Sequence, residues 1–148
     1  MRRILAFSLL TVVLTAAAVP ARAGGLKGAG LQLGWTSTPD QFVAGLHWQA
    51  RPLGEEFDLV PSIDFGFGDI FMVEPNLDAH YVLKSSSKMR PYIGAGLSFP
   101  WYDSEPESVW EFGGTLIGGV HLSPNMSFEV KYGMSDVPDW AFMFQLHK

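Results

Sequence analysis

The chain contains no cysteine. It can therefore form no disulfide, no thiolate metal site and no cysteine nucleophile. It also lacks the acceptor residue on which bacterial lipoproteins are anchored. Packing and backbone pairing alone have to stabilise its fold.

Positive charge is scarce over most of the chain. Three of its 10 Lys and Arg residues, the arginines at positions 2, 3 and 22, lie in residues 1–23, which contain no acidic residue. Residues 24–148 therefore contain seven Lys and Arg residues but 15 Asp and Glu residues. Nucleic-acid binding needs clustered cations. We therefore expect no nucleic-acid partner.

Only the N-terminus carries a long hydrophobic run. Met1-Arg2-Arg3 precedes apolar residues from Ile4 to Val19, and the small-x-small triplet Ala21-Arg22-Ala23 follows. This pattern is typical of a cleavable signal peptide, and the run is short for a transmembrane helix. We predict an exported chain with a signal peptide at residues 1–23 and one folded domain at residues 24–148.

Helical spacing of apolar residues is absent after Gly24. Apolar and polar residues alternate instead, most clearly at 57–68 and 126–135, which indicates β-strands. We predict eight strands, most of them near the length that a tilted strand needs to cross a bilayer. The fourth is expected to begin at Leu77, after a loop that includes Glu74. Pro61 cannot donate to a ladder, so a bulge or broken pairing is expected there.

Alternation alone leaves open which face is inside. A soluble lipocalin-like barrel would enclose Trp35, Trp48 and Phe65, whereas a membrane barrel turns its apolar face to lipid. The apolar face holds most of the large aromatic residues, too many for the narrow interior of eight strands, and the other face is rich in glycine. We therefore predict an all-β fold, an eight-stranded antiparallel up-and-down transmembrane β-barrel with its apolar face outward.

Two residue sets follow from this orientation. The tryptophans near predicted strand ends form a candidate aromatic girdle: Trp35, Trp48, Trp101, Trp110 and Trp140. The polar inward positions form a candidate lumen network: His47, Asp58, Asp64, Asp78, His80, Glu111, Glu129 and Lys131. Buried charges need partners, so we expect carboxylates from neighbouring strands to neutralise Lys131 and the network to plug the lumen.

Charges also sort along the predicted barrel axis. With a periplasmic N-terminus, the cations gather at the periplasmic end: Lys27, Arg51, Lys84, Lys88, Arg90 and Lys148. The outward loops carry acids: Asp40, Asp69, Glu74, Asp103, Glu105, Glu107, Asp136 and Asp139. We interpret these loops as a solvated rim. The functional alternative is that they bridge to lipopolysaccharide phosphates through divalent cations.

Three motifs carry a family resemblance: Pro39-Asp40-Gln41-Phe42, the glycine-rich stretch from Pro61 to Asp69, and Arg90-Pro91-Tyr92-x-Gly94-x-Gly96. Through them the chain resembles the small outer-membrane barrels of the OmpA, OmpX and opacity-protein type. The resemblance implies a monomer in the outer membrane, with lipid, lipopolysaccharide and the outer-membrane insertion machinery as partners. It implies a structural or surface-interaction role and not the catalysis of a reaction.

Catalytic and metal sites are the weaker hypotheses. His121, Ser123 and Glu129 resemble the His-x-Ser pair and carboxylate of lipid A deacylases, but Ser123 lies in a predicted turn and Pro124 replaces the family's asparagine. Asp78 and His80 share a face and could ligate a metal with His47, yet nothing in the sequence fixes that third ligand. We predict a non-enzymatic protein with no cofactor and no metal. A lipid A-modifying enzyme and a soluble periplasmic lipocalin-like barrel stay open as alternatives.

Overall fold

The computed structural model describes residues 26–50, 56–104 and 106–147. The predicted signal peptide lies outside these residues, as do Arg51, Glu105 and Lys148. Within the described ranges, no helix is long and apolar enough to cross a membrane. The secondary structure there consists of ten strands: β1 (Leu26–Ser37), β2 (Gln41–Ala50), β3 (Phe57–Gly68), β4 (Phe71–Val82), β5 (Arg90–Ser98), β6 (Trp101–Asp103), β7 (Ser108–Trp110), β8 (Gly113–Ser123), β9 (Met126–Ser135) and β10 (Trp140–Leu146).

Eight of these strands close into an antiparallel barrel. The hydrogen-bonded order is β3-β2-β1-β10-β9-β8-β5-β4, and pairing of β3 with β4 closes the ring. Neighbours in the chain are neighbours in the ring, which is the up-and-down arrangement. Among the described strands only the short β7, outside the closed ring, has an unpaired edge. The predicted fold class, an eight-stranded barrel, is confirmed.

The two ends of the barrel differ. We call the end with the short β6–β7 hairpin and the turns at 38–40, 69–70 and 136–139 the hairpin end. The other end carries the turns at 83–89 and 123–125, the start of β1 and the end of β10, and we call it the terminal end. The cationic side chains described in a turn or directly beside one all belong to the terminal end: Lys84, Lys88 and Arg90.

The first strand boundary that sequence reasoning placed wrongly lies between β3 and β4. Residues 71–76 were expected in a loop, but β4 begins at Phe71 after a tight turn. Its pairing with β3 is continuous from Phe57↔Tyr81 to Phe67↔Phe71. Glu74 therefore lies inside a strand and is 7% exposed, and it is not part of an outward loop.

Prolines interrupt the pairing of strands at two places. Between β2 and β3 the pairing stops across Pro61 and resumes at Ala50↔Leu59 in the same register, so the break is local and no bulge forms. Pro100 ends β5, so Trp101 belongs to the separate strand β6, which pairs with β4 in place of β5. Trp110 lies in β7 opposite Trp101, and Phe112 lies outside any strand. The predicted fifth and sixth strands are each divided in two.

The large apolar side chains face out of the barrel. Leu31, Phe42, Ile93, Leu116 and Phe128 are 39 to 57% exposed. Trp35 is 42% exposed, and Trp48 and Phe65 are only half-buried. The soluble lipocalin-like alternative, which needs these three rings in an enclosed core, is therefore wrong.

Candidate functional site: the barrel lumen

The inward face of the strands carries most of the buried polar and charged side chains. Seven of the eight predicted network residues point into the lumen, each 6% exposed or less: His47, Asp58, Asp64, Asp78, His80, Glu129 and Lys131. They alternate with the outward apolar residues because successive side chains of a strand point to opposite faces. The eighth, Glu111, lies elsewhere.

Lys131 forms the centre of the charged part of the lumen. Its Nζ donates to Asp78 Oδ2 at 2.5 Å and lies 3.6 Å from Glu129 Oε1. Asp78 is on β4 and Glu129 is on β9 with Lys131, so strands from two sides of the barrel contribute to one ionic cluster. Such a pair holds its geometry only when further polar groups satisfy the remaining atoms.

Tyr92 and His80 provide further partners for Glu129. The Tyr92 hydroxyl donates to Glu129 Oε2 at 2.9 Å, and His80 Nε2 lies 3.3 Å from the same oxygen. The rings of His80 and Tyr92 stack, with centroids 4.7 Å apart. A Cβ at Gly119 would collide with the Tyr92 ring. The glycine on β8 therefore makes room for the aromatic ring, as the glycine-rich inward face indicated.

A second polar cluster lies nearer the hairpin end. Asp64 accepts hydrogen bonds from the side-chain amides of Gln32 and Asn76. Asn76 in turn accepts from Ser98, and Glu74 lies opposite Asp64 in the β3–β4 ladder. Sequence reasoning missed Glu74, although the alternation of Met72, Glu74 and Asn76 with the outward residues continues that of Asp78 and His80. Pro75 and Asn76 obscured that signal because both are typical of turns.

Apolar side chains fill the lumen at the hairpin end. Val43, Met72, Tyr102, Ala141 and Met143 form one buried cluster. A cavity of about 20 Å³ separates this apolar layer from the charged cluster and is bordered by Asp64, Glu74 and Lys131 among others. That volume suits roughly one water molecule.

Outside this apolar layer lies an open cavity of about 470 Å³. Glu111 lines it, together with Tyr102, Asp136 and Asp139. Glu111 was expected in the lumen network, but Phe112 interrupts the strand there and leaves Glu111 at the rim. Burial, and then the neighbouring carboxylate of Asp136, raises the pKa of Glu111 above its ordinary value.

Histidines gather in the terminal half of the lumen. His47 Nε2 and His147 Nδ1 are 3.0 Å apart, and His147 Nε2 is 2.8 Å from Ser127 Oγ. The His121 ring contacts those of Tyr92 and His147, with centroids 4.8 and 5.8 Å away. The chain has 4 histidines, and His80 completes the set. Sequence reasoning placed His47 and His80 in the lumen but did not bring His121 and His147 there.

The three residues with catalytic character lie in different surroundings. Ser123 Oγ accepts from Asn125 N at 3.3 Å within the β8–β9 turn, and His121 packs against Tyr92. Glu129 is bound to Tyr92 and lies beside Lys131. Among the described residues no hydrogen bond joins the three into the relay that an activated serine needs.

Aromatic rings concentrate at one end of the outer surface. Four of the five tryptophans lie at the hairpin end: Trp35, Trp101, Trp110 and Trp140. Neighbouring rings contact them: the centroids of Trp35 and Phe142 are 6.0 Å apart, and those of Trp140 and Tyr132 are 4.9 Å apart. Trp48 lies near the terminal end of β2. The five candidate girdle residues are therefore divided four to one between the ends.

The same architecture occurs in solved structures. Neisserial surface protein A is 15% identical, with a TM-score of 0.58, and the match covers 84% of this chain and 99% of that one. The N-terminal β-barrel domain of Pseudomonas aeruginosa OprF is 15% identical, with a TM-score of 0.56 over 81% and 96% of the two chains. The fold is that of the small outer-membrane barrels. A de novo designed transmembrane β-barrel also matches, at 19% identity and a TM-score of 0.51, over 84% of this chain and 96% of that chain. No family model matches the chain, and no curated protein does.

Proposed function

We propose that this chain is a non-enzymatic protein of the bacterial outer membrane with a structural or surface-interaction role. The observation that carries the proposal is the difference between the two faces of its strands. The outward face is a belt of exposed Leu, Ile, Phe and Trp side chains, and the inward face contains buried carboxylates and Lys131. Water would leave that belt exposed, whereas the hydrocarbon core of a bilayer would cover it.

The filled lumen supports a role without ion conduction. The buried cluster Val43, Met72, Tyr102, Ala141 and Met143 crosses the interior on the hairpin side of the Lys131 ion pairs. Eight strands enclose space only for side chains, and open pores occur in much wider barrels. The proposal therefore includes a plugged lumen and excludes a porin-like channel.

The hairpin end is proposed to face the cell exterior. Its turns and the β6–β7 hairpin carry Asp40, Asp69, Asp103, Asp136 and Asp139, while Lys84, Lys88 and Arg90 lie at the opposite end. Carboxylates are good ligands for Mg²⁺ and Ca²⁺, which also bind the phosphates of lipopolysaccharide. Lipopolysaccharide is thus the proposed surface partner, and chelation of divalent cations should weaken the binding of the purified barrel to lipopolysaccharide vesicles.

Export and insertion belong to the same proposal. The signal peptide at residues 1–23 would direct the chain out of the cytoplasm, and the insertion machinery would then deliver it as a monomer to the outer membrane. A lipid A-modifying activity has no support from the separated positions of His121, Ser123 and Glu129.

Membrane fractionation followed by a heat-shift gel tests the proposal. The chain should sediment with the outer membrane, and its unheated form should migrate faster on SDS gels than its boiled form, because a closed barrel resists SDS. Planar bilayers containing the purified protein should show no steady channel current. Recovery of the folded chain in the soluble periplasmic fraction would refute the membrane assignment, and a sustained current would refute the plugged lumen.

A further inference from the structure

Three side chains in the lumen form a group that sequence reasoning did not assemble. Asp78, His80 and Glu129 are all buried, and one candidate ligand atom from each lies within 4.8 Å of the others. Asp78 and His80 are neighbours on the inward face of β4, and Glu129 reaches them from β9. The sequence suggested His47 as the third member, because it does not show which strands meet across the lumen.

Each of the three residues has a buried atom without a hydrogen-bond partner. These atoms are Asp78 Oδ1, His80 Nε2 and Glu129 Oε1. The last two do have electrostatic neighbours, since His80 Nε2 lies 3.3 Å from Glu129 Oε2 and Glu129 Oε1 lies 3.6 Å from Lys131 Nζ. Most buried polar atoms in folded proteins are hydrogen-bonded. Three such atoms on three adjoining side chains leave capacity for ligand binding unused in this part of the lumen.

The charge of the lumen favours a cation as that ligand. Among the side chains whose burial the structure describes, the buried ones include five carboxyl groups and a single lysine, Lys131. The carboxyl groups belong to Asp58, Asp64, Glu74, Asp78 and Glu129. Buried carboxylates are costly unless a positive charge or a proton compensates them. Lys131 contacts Asp78 Oδ2 at 2.5 Å, which leaves Asp78 Oδ1 available to a second cation.

The ligand chemistry narrows the choice of cation. One imidazole with two carboxylates suits first-row divalent ions such as Zn²⁺, whereas Mg²⁺ and Ca²⁺ prefer oxygen ligands alone. Metal bonds to these groups are about 2.0–2.2 Å long, so only a modest inward shift of the side chains would close the group around one ion. Tyr92 would support the site from outside, because its hydroxyl donates to Glu129 Oε2 at 2.9 Å and its ring stacks on His80.

We propose that Asp78, His80 and Glu129 bind one divalent transition-metal ion of the Zn²⁺ type within the barrel lumen, beside the Lys131 ion pair. The apolar layer of Val43, Met72 and Met143 covers the group on the hairpin side. The site is independent of where the barrel resides, so it can be tested on purified protein in detergent.

The first experiment measures Zn²⁺ binding by the barrel refolded with and without Zn²⁺. Calorimetry and metal analysis should give one ion per folded chain. Asp78→Asn and Glu129→Gln keep side-chain size, and His80→Asn removes the imidazole. Each variant should weaken binding by more than about tenfold, the scale expected when a metal site loses part of its coordination or support. The matched controls are His47→Asn and His121→Asn, which alter lumenal histidines outside the group and should bind Zn²⁺ as the parent does. The heat-shift gel verifies that each variant is folded.

A second measurement needs no variant. X-ray absorption of the Zn²⁺-loaded parent protein should show a single imidazole in a shell otherwise made of oxygen. Two or more imidazoles would assign the ion to the His47–His147 pair and overturn the proposal. Absence of stoichiometric Zn²⁺ binding would overturn it too, as would unchanged binding by folded His80→Asn protein.

Discussion

The two faces of the barrel wall can be compared at three consecutive residues, 129 to 131. Glu129 and Lys131 point into the lumen and are 0% and 6% exposed, whereas Val130 between them faces outward and is half-buried. The inner face tolerates charge only where a partner is built in. The outer face is proposed to contact lipid, where no partner exists, so a charge is costly near the middle of its strands, but this face places little demand on shape.

The largest expected effect comes from breaking the inner ion pairs. Lys131→Met would keep much of the side-chain volume but leave Asp78 and Glu129 without the cation that lies 2.5 and 3.6 Å from them. Removing one partner of a buried pair costs about 3–5 kcal/mol. Urea unfolding of the barrel from lipid vesicles should show a loss of this size.

Lys84→Met is the matched control for that variant. Lys84 also forms an ion pair, with Glu56 at 3.1 Å, but its side chain is 85% exposed. Exposed pairs contribute little, so this variant should unfold as the parent does. Equal destabilisation by the two substitutions would mean that the Lys131 pairs are not buried in the folded barrel.

The contrast between the faces also explains what could be predicted from sequence. Whether a residue points inward follows from a period of two, which is a local property, so Asp64 and Lys131 could be placed in the lumen without coordinates. Strand ends were less certain because proline acts differently in different contexts. Pro75 lies within β4, whereas Pro100 ends β5.

Contacts across the lumen could not be predicted in the same way. They depend on the stagger of the strands around the closed ring, which no single strand specifies. Glu129 therefore joins Asp78 and His80 in a group that sequence reasoning had completed with His47. For the same reason the gathering of His121 and His147 beside His47 had no local signal.

A charge on the outer face should have the next largest effect. Val130→Lys places an ammonium near the middle of β9 on the proposed lipid side, and lysine at the bilayer midplane of such barrels costs roughly 2–4 kcal/mol. Met134→Lys, on the same face but near the end of β9, should cost only about 0–1 kcal/mol because it lies near the interface. Urea unfolding from vesicles compares the two. If both variants lose the same stability, the outer face does not cross a hydrocarbon layer.

The smallest expected effect concerns the fit of side chains inside the barrel. Two adjacent glycines of β8 allow this fit to be tested. A Cβ at Gly119 would overlap the ring and hydroxyl of Tyr92, whereas a Cβ at Gly118 would meet nothing within 4 Å. Overpacking a filled interior costs about 1–3 kcal/mol, so Gly119→Ala should lower the free energy of unfolding by that amount. Gly118→Ala should leave it unchanged or raise it slightly, since alanine has less backbone entropy to lose than glycine. Equal losses would show that the backbone of β8, and not the space beside Tyr92, requires glycine, and the packing difference between the two faces would then not hold on this strand.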